Sequence, residues 1–462
     1  MEYRIEEDAL GQLKVPAGVY WGVHTARALE NFPLSGQKVN SSLIKSYCLV
    51  KKACARANRE LKLLDEKKAD AVMRACDEVA EGRLADQFPV DPLQGGAGTS
   101  TNMNVNEVLA NRAAEILGGS LGDYALVNPI EDVNLNQSTN DTYPTALKVA
   151  AIFKFRELSA QIAALQGALQ KKEKEFASIV KVGRTEMQEA VPITLGQEFS
   201  AFAEAVARDR WRVFKCEERL RIVNLGGTAV GTGLTAPRSY IFLVIETLRK
   251  ITGLGLARGE TVLDQTANSD SFVEVSGILK AHASNIRKIS GDLRLLNLLG
   301  EISLPVLQAG SSIMPGKVNP VVLEAAAQAG IKVISNDMII TEACSSATLQ
   351  INEFMPLLAQ ALLESLDILI NVNRIMSLHV SGINADEKKC RWYFDRSPAI
   401  ITALLPQIGY HKAQELLDEF KASQREDLRV FLSEKLGEGL VNKVFSSHNL
   451  IALGHSAHGK NT

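Results

Sequence analysis

A mainly α-helical chain with a central bundle of long helices is the fold class this sequence predicts, and three observations predict it. The first is proline placement. None of the 14 prolines falls between Pro144 and Pro192, between Pro237 and Pro305, or between Pro320 and Pro356. Proline inside a helix costs about 3 kcal/mol, so each gap leaves room for a helix much longer than average. The second is periodicity. Leu158, Ile162, Leu165 and Leu169 recur at helical spacing, and Ile278, Ile286, Ile289, Leu293 and Leu296 form a second, less regular row. The third is length: a helix of ~30 residues extends ~45 Å, too far to be covered within one compact domain. Its apolar stripe has to be buried against other long helices, which predicts a bundle and, across subunits, shared bundles.

At roughly 100–200 residues per domain, 462 residues suggest two to four domains. Three are expected. Residues 1–140 mix short helices with turn-rich segments such as Gly95-Gly96-Ala97-Gly98, and residues 141–390 carry the long helices. Residues 391–462 return to short helices around Pro398 and Pro406 and end in a polar tail. No internal repeat is present.

Composition removes several function classes. The chain is 46% hydrophobic and 23% charged with net charge −2, and it has no basic block for nucleic acid or an anionic membrane. No apolar run is read as reaching the ~18–20 residues of a membrane span. Met1 leads into Glu2, Arg4, Glu6, Glu7 and Asp8, which is not a secretory signal. Cys48, Cys54, Cys76, Cys216, Cys344 and Cys390 show no paired spacing and read as reduced thiols of a cytoplasmic protein. There is no CxxC and no HExxH, and His455 and His458 sit on a Gly/Ser/Lys-rich tail that reads as a solvated terminus. Gly310 to Lys317 mimics a phosphate loop, but five residues separate its glycines where four are needed. Val318 also stands where Ser or Thr would bind magnesium. Gly231-Thr232-Gly233 is too short for a dinucleotide fingerprint. No metal and no cofactor are expected.

Four segments pack small polar residues beside glycine at the edges of the long helices. They are Gly98-Thr99-Ser100-Thr101-Asn102, Gln137-Ser138-Thr139-Asn140-Asp141, Gly183-Arg184-Thr185-Glu186 and the run from Gly310 to Pro320. Helix capping explains any one of them. Together, neutral hydroxyl and amide donors at helix starts suit a second task, binding carboxylate oxygens without a metal. Lys317 and Asn319 add a cation and a planar donor. The fourth segment, with its glycines, serines and two prolines, has to be a loop, and loops of this composition serve as lids. A serine there acts as a base only if backbone donors or a cation stabilise its alkoxide.

These segments resemble the aspartase/fumarase superfamily along nearly the whole chain. The loop GSSIMPGKVNP (310–320) is similar to the superfamily's hallmark, and the stretches 4–32, 86–92 and 94–99 resemble aspartases. Thr139, where fumarases tend to carry serine, sides with the aspartases. The resemblance implies three domains, with five long helices in the middle one that four subunits pool into a twenty-helix core. Each active site would draw on three subunits. It implies Ser311 as the general base, and Thr99, Ser138, Thr139 and Ser312 around the enediolate formed from the β-carboxylate. Thr185, Lys317 and Asn319 would hold the α-carboxylate, Asn140 would face the amino group, and Met314 would pack in the lid. The reaction implied is reversible deamination of L-aspartate to fumarate and ammonia, on a dicarboxylate and without a cofactor.

The sequence also departs from that pattern. Glu186 stands where the family carries His or Gln, and a carboxylate accepts well from an ammonium; alternatively it turns away to pair with a base such as Arg184. Glu324 matches a family acid and is expected near it, where two carboxylates could share a proton. The segment Leu296–Glu301 is shorter than in relatives, Ser345-Ser346-Ala347-Thr348 is atypical, and Thr235 replaces an Asn. The alternatives kept open are a carbon–nitrogen lyase for an N-substituted aspartate, a fumarate hydratase, and a catalytically silent oligomeric scaffold.

Overall fold

A computed structural model describes residues 2–454; the pair His455 and His458 lies outside the described residues. The chain opens with the antiparallel hairpin β1 (Tyr3–Asp8) and β2 (Gly11–Pro16), in register from Tyr3↔Pro16 to Asp8↔Gly11. Helices α1 (Val23–Asn31), α2 (Ser41–Glu60), α3 (Glu66–Ala80) and α4 (Thr99–Ile116) follow. Next come α5 (Thr139–Glu175), the hairpin β3 (Val180–Thr185) and β4 (Gln188–Thr194), and α6 (Leu195–Leu220). The short strands β5 (Ile222–Val223) and β6 (Ala257–Arg258) pair in parallel around α7 (Arg238–Thr252). Then come α8 (Val262–Ala267), α9 (Asp270–Leu299), β7 (Ile302–Ser303), α10 (Val321–Ser345) and α11 (Met355–Ser381). After β8 (Asn384–Ala385), the chain finishes in α12 (Glu387–Arg396), α13 (Leu405–Ala422), α14 (Leu428–Leu436), α15 (Glu438–Val444) and α16 (Ser447–Leu450).

The long helices arise where proline is sparse: α5 has 37 residues, α6 26, α9 30, α10 25 and α11 27. Pro144 is the informative exception, because it lies inside α5. Proline has no N–H to give to the carbonyl four residues back. That carbonyl, on Asn140, accepts instead from Asn224 Nδ2 at 3.0 Å, so the helix runs on without an orphaned oxygen. The first apolar row holds in full, with Leu158, Ile162, Leu165 and Leu169 all buried. In the second, Ile286, Ile289, Leu293 and Leu296 are buried, but Leu279 takes the interior place expected of Ile278.

The chain divides into two compact units. One comprises Met1–Ser159, Trp211–Ala283 and Ile331–Ile370; the other comprises Ala160–Arg210, Ser284–Gly330 and Asn371–Thr462. In the first unit, side chains link the five long helices in a closed circuit. Arg156 joins α5 to α6 through Glu217 (2.7 Å), and Arg219 joins α6 to α9 through Glu274 (2.8 Å). Ser276 joins α9 to α10 through Asp337 (2.7 Å), and Asn336 joins α10 to α11 through Glu364 (2.8 Å). Lys154 of α5 closes the circuit on Asp367 of α11. That circuit is the bundle predicted from the proline gaps. In the second unit, Val180 and Val182 of β3 enter a core of Phe394, Ile400, Leu404, Leu416, Phe431 and Leu432 from the C-terminal helices.

By length and composition alone α11 is apolar enough to cross a membrane, but 67% of that stretch is buried inside the protein. Its apolar character belongs to a core helix. All six cysteines are free, and all but Cys344 are buried.

Candidate functional site

Four of the expected site residues lie in the first unit, at the starts of α4 and α5. Gly98 precedes α4 with φ +93°, and a Cβ on it would stand 2.2 Å from the Tyr143 ring in α5. Only glycine lets the two helix starts approach this closely. Thr99 opens α4, and its hydroxyl donates to the Gly96 carbonyl at 2.7 Å. Ser138 precedes α5: its Oγ accepts from Asn140 N–H (3.2 Å) while Asp141 accepts from Ser138 N–H (2.9 Å). That reciprocal arrangement is a capping box, so the capping explanation is correct for Ser138. The Ser138 Oγ–H is not consumed by it. Asn140 Nδ2 donates to Ala229 carbonyl at 2.7 Å, which leaves Oδ1 as the free end of the amide, an acceptor suited to an ammonium.

Asp141 anchors this corner. Fully buried, it also accepts from Gly226 N–H (3.0 Å) and Thr228 N–H (3.1 Å), and burial pushes its carboxyl up to about 6. It thereby ties the loop 224–235 to the start of α5. Thr235 in that loop has φ +80°. Asn enters the left-handed region more readily than a β-branched residue, which gives the family's Asn its physical reason and makes Thr235 a strained replacement.

The remaining residues lie in the second unit. The chain from 304 to 320 has no regular secondary structure, so the predicted loop is present. Gly310 N–H donates to Lys317 carbonyl (2.8 Å) and Asn319 Nδ2 to Gly310 carbonyl (3.0 Å), closing the loop at its neck. A Cβ on Gly310 would come within 2.7 Å of the Lys317 carbonyl, so glycine is required there too. Inside the loop Ser311 Oγ accepts two backbone N–H groups, from Met314 at 2.9 Å and Ile313 at 3.2 Å. These are the donors a serine alkoxide needs. Ser311 is half-buried; Ser312, Met314 and Lys317 are exposed, and Asn319 is half-buried. Met314 is therefore not packed away within this chain.

Thr185 and Glu186 occupy the tip of the β3–β4 hairpin. Thr185 pairs with Gln188, and Glu186 and Met187 between them have φ +52° and +61°, a two-residue turn of the mirror-image type. Glu186 is exposed. It does not turn back onto Arg184, whose guanidinium pairs with Glu301 at 2.8 Å and lies 5.0 Å over the Tyr393 ring. Glu324 pairs loosely with Arg294, at 3.8 Å. Lys181, also on β3, binds the same Glu301 carboxylate at 2.7 Å and Glu198 at 2.5 Å. Glu301 is 0% exposed and follows the Gly300 stop of α9, so the shortened segment before the lid ends on a buried clamp. Sequence reading missed Glu301, Lys181 and Asp141 as supports. Its one available signal was charged or acidic residues embedded in otherwise apolar or glycine-rich stretches.

The comparisons agree with this architecture. A family model described as a lyase matches residues 11–335. The chain is 45% identical over 424 residues to an aspartate ammonia-lyase of Bacillus sp, covering 90% of this chain and 91% of the relative. It is 43% identical over 459 residues to aspartate ammonia-lyase of Escherichia coli (strain K12), covering 97% and 96%. Among solved structures, fumarate lyase:delta crystallin from Brucella melitensis bound to cobalt superposes with TM-score 0.92 at 42% identity over 96% of this chain and 98% of that one. A class II fumarase from Schistosoma mansoni gives 0.89 at 31% identity, with the same coverage. The chain belongs to the aspartase/fumarase superfamily and is a lyase. Over nearly its full length it is similar to aspartate ammonia-lyases, enzymes of the carbon–nitrogen lyase class.

Proposed function

We propose that this chain is an aspartate ammonia-lyase that interconverts L-aspartate with fumarate and ammonia. The observation that carries the reading is Ser311 Oγ held by two backbone N–H groups on an open loop, in a chain that shares 45% identity with a relative of that activity. The Ser311 alkoxide takes a proton from the carbon beside the β-carboxylate, and the electron pair left behind moves onto that carboxylate as an enediolate. Ser138, Thr139 and Ser312 donate to its oxygens, and Thr99 joins them once its hydroxyl turns from the Gly96 carbonyl. Because the extra charge appears only as the proton leaves, these donors favour the transition state over the substrate. Collapse of the enediolate forms the carbon–carbon double bond and breaks the carbon–nitrogen bond, with the electron pair leaving on ammonia. Lys317, Asn319 and Thr185 hold the α-carboxylate, and Asn140 Oδ1 receives the amino group. Closure of the lid around Met314 removes water.

The same reading includes a cytoplasmic homotetramer with a twenty-helix core, active sites shared between subunits, no resident cofactor or metal, and the division at residues 140 and 390. A second reading, deamination of an N-substituted aspartate, is supported by the Glu186 carboxylate, an acceptor for an amine that Arg184, paired with Glu301, does not occupy. The test is growth of fumarate absorbance on adding L-aspartate, L-malate or an N-alkyl aspartate to purified protein, with a sizing column for the assembly. Signal with aspartate alone is expected. Signal with malate alone would replace the proposal by a fumarase, and signal with the N-alkyl substrate alone by the second reading.

A further inference from the structure

Lys51 lies mid-way along α2 on the stripe Tyr47, Lys51, Cys54 and Asn58, every member of which is 0% exposed. Its ammonium donates to Asn134 Oδ1 and Gln137 Oε1, both at 2.9 Å. Among the described residues no carboxylate is within ion-pair distance of it. The groups that face it are Asp141, the thiols of Cys48, Cys54 and Cys76, and the Tyr47 ring at 5.9 Å. Asp141 is already occupied by three backbone N–H groups. Burial pushes Lys51 down to about 8. A cation kept from water without a paired anion is costly, and such groups concentrate where a ligand of opposite sign binds. Lys148, also buried in this unit, differs: it donates to the Ile222 carbonyl and faces Asp264 and Asp270, so it belongs to the β5–β6 corner.

The partners of Lys51 lead directly to the carboxylate receptor. Asn134 Oδ1 also accepts from Asn102 Nδ2 and Asn106 Nδ2 in the first turns of α4, each at 3.2 Å. Asn134 Nδ2 donates to the Gln137 carbonyl (3.3 Å), and the Gln137 amide donates to the carbonyls of Val133 (3.0 Å) and Leu135 (3.1 Å). Asn134 Oδ1 thus gathers the start of α4, and Gln137 Oε1 brings the residue before Ser138, onto one buried ammonium.

We propose that Lys51 is a positioning residue for the receptor formed by Thr99, Ser138 and Thr139: through Asn134 and Gln137 it sets the spacing of the two helix starts and supplies positive potential behind their hydroxyls. This rests on the reading that those hydroxyls hold the enediolate. The charge of Lys51 matters most when that intermediate carries its extra negative charge.

Two variants of the full chain test it. Lys51→Met removes the charge at nearly constant shape; Asn134→Asp keeps the shape and supplies the missing anion beside Lys51. The measurements are kcat and KM for L-aspartate, and calorimetric affinities for succinate and for the nitronate of 3-nitropropanoate, whose extra charge falls where the enediolate's would. A fall in kcat of about 10- to 100-fold is expected in both, less than or comparable to loss of a direct donor. KM and succinate affinity should stay within about threefold, while nitronate affinity falls in step with kcat. A folded variant with undiminished kcat, or equal losses for succinate and nitronate, overturns the proposal. If Lys51→Met does not fold, Asn134→Asp decides. If the unaltered chain leaves aspartate untouched, the ammonia-lyase reading fails, and the preference for nitronate over succinate, measured without turnover, still decides the role of Lys51.

Discussion

Glu301→Gln removes the anion shared by Lys181 and Arg184 without changing its shape. The two contacts, at 2.7 and 2.8 Å, are each worth about 6 kcal/mol of gross attraction at an effective dielectric of about 20. Much of that is offset in the native protein, because the Glu301 side chain is 0% exposed and its desolvation costs several kcal/mol. Removing one partner of a buried pair leaves the other charges uncompensated, which costs about 3–5 kcal/mol. Glu198 still holds Lys181 and the Tyr393 ring still faces Arg184, so a value near 3 is expected here. Urea unfolding followed by circular dichroism measures it, with hydrogen exchange on peptides covering 180–194 locating the loosened hairpin. Lys181→Met and the double variant complete a cycle, in which the double should cost at least about 1.5 kcal/mol less than the sum of the singles. Strict additivity, or a loss under about 1 kcal/mol for Glu301→Gln, would refute the reasoning.

Two other perturbations have plain expectations. Ser311→Ala should lower kcat by about 10²–10⁴-fold, as for loss of a general base, and shift stability by no more than about 0.5 kcal/mol at this loop position; retained turnover would dismiss Ser311 as the base. Gly98→Ala combines a left-handed backbone with a Cβ 2.2 Å from Tyr143, so a stability loss of about 2–4 kcal/mol is expected together with a raised KM. An unchanged melting curve would show that the helix starts are not so tightly packed.

Local rules carried the fold a long way. The three proline gaps and the leucine spacing located α5, α9 and α10, because both depend only on the chain's own backbone and one buried stripe; α6 and α11 lie outside those gaps. The gap itself begins only at Pro144, whereas α5 starts at Thr139 and runs through that proline because Asn224, 80 residues further on in the sequence, serves the Asn140 carbonyl. Ser138 and Ser311 could be picked out from residue type and neighbours. Asp141 and Lys51 could not be assigned work, because what each binds is set by tertiary approach: Asp141 by the loop at 226–228, Lys51 by Asn134 and Gln137. The turn at Glu186-Met187 was equally hidden, as neither residue is a glycine and nothing local announces two positive φ values.

That turn has a wider consequence. Glu186 is held at the end of a two-stranded arm that Lys181 and Arg184 tie to Glu301, while its own side chain is exposed in this chain. Exchange at this position therefore leaves the buried frame untouched. On the proposed reading, in which Glu186 faces the departing amine and Ser311 takes the proton, relatives could change the amine they release by a substitution at this tip alone, leaving the loop and the helix starts as they are.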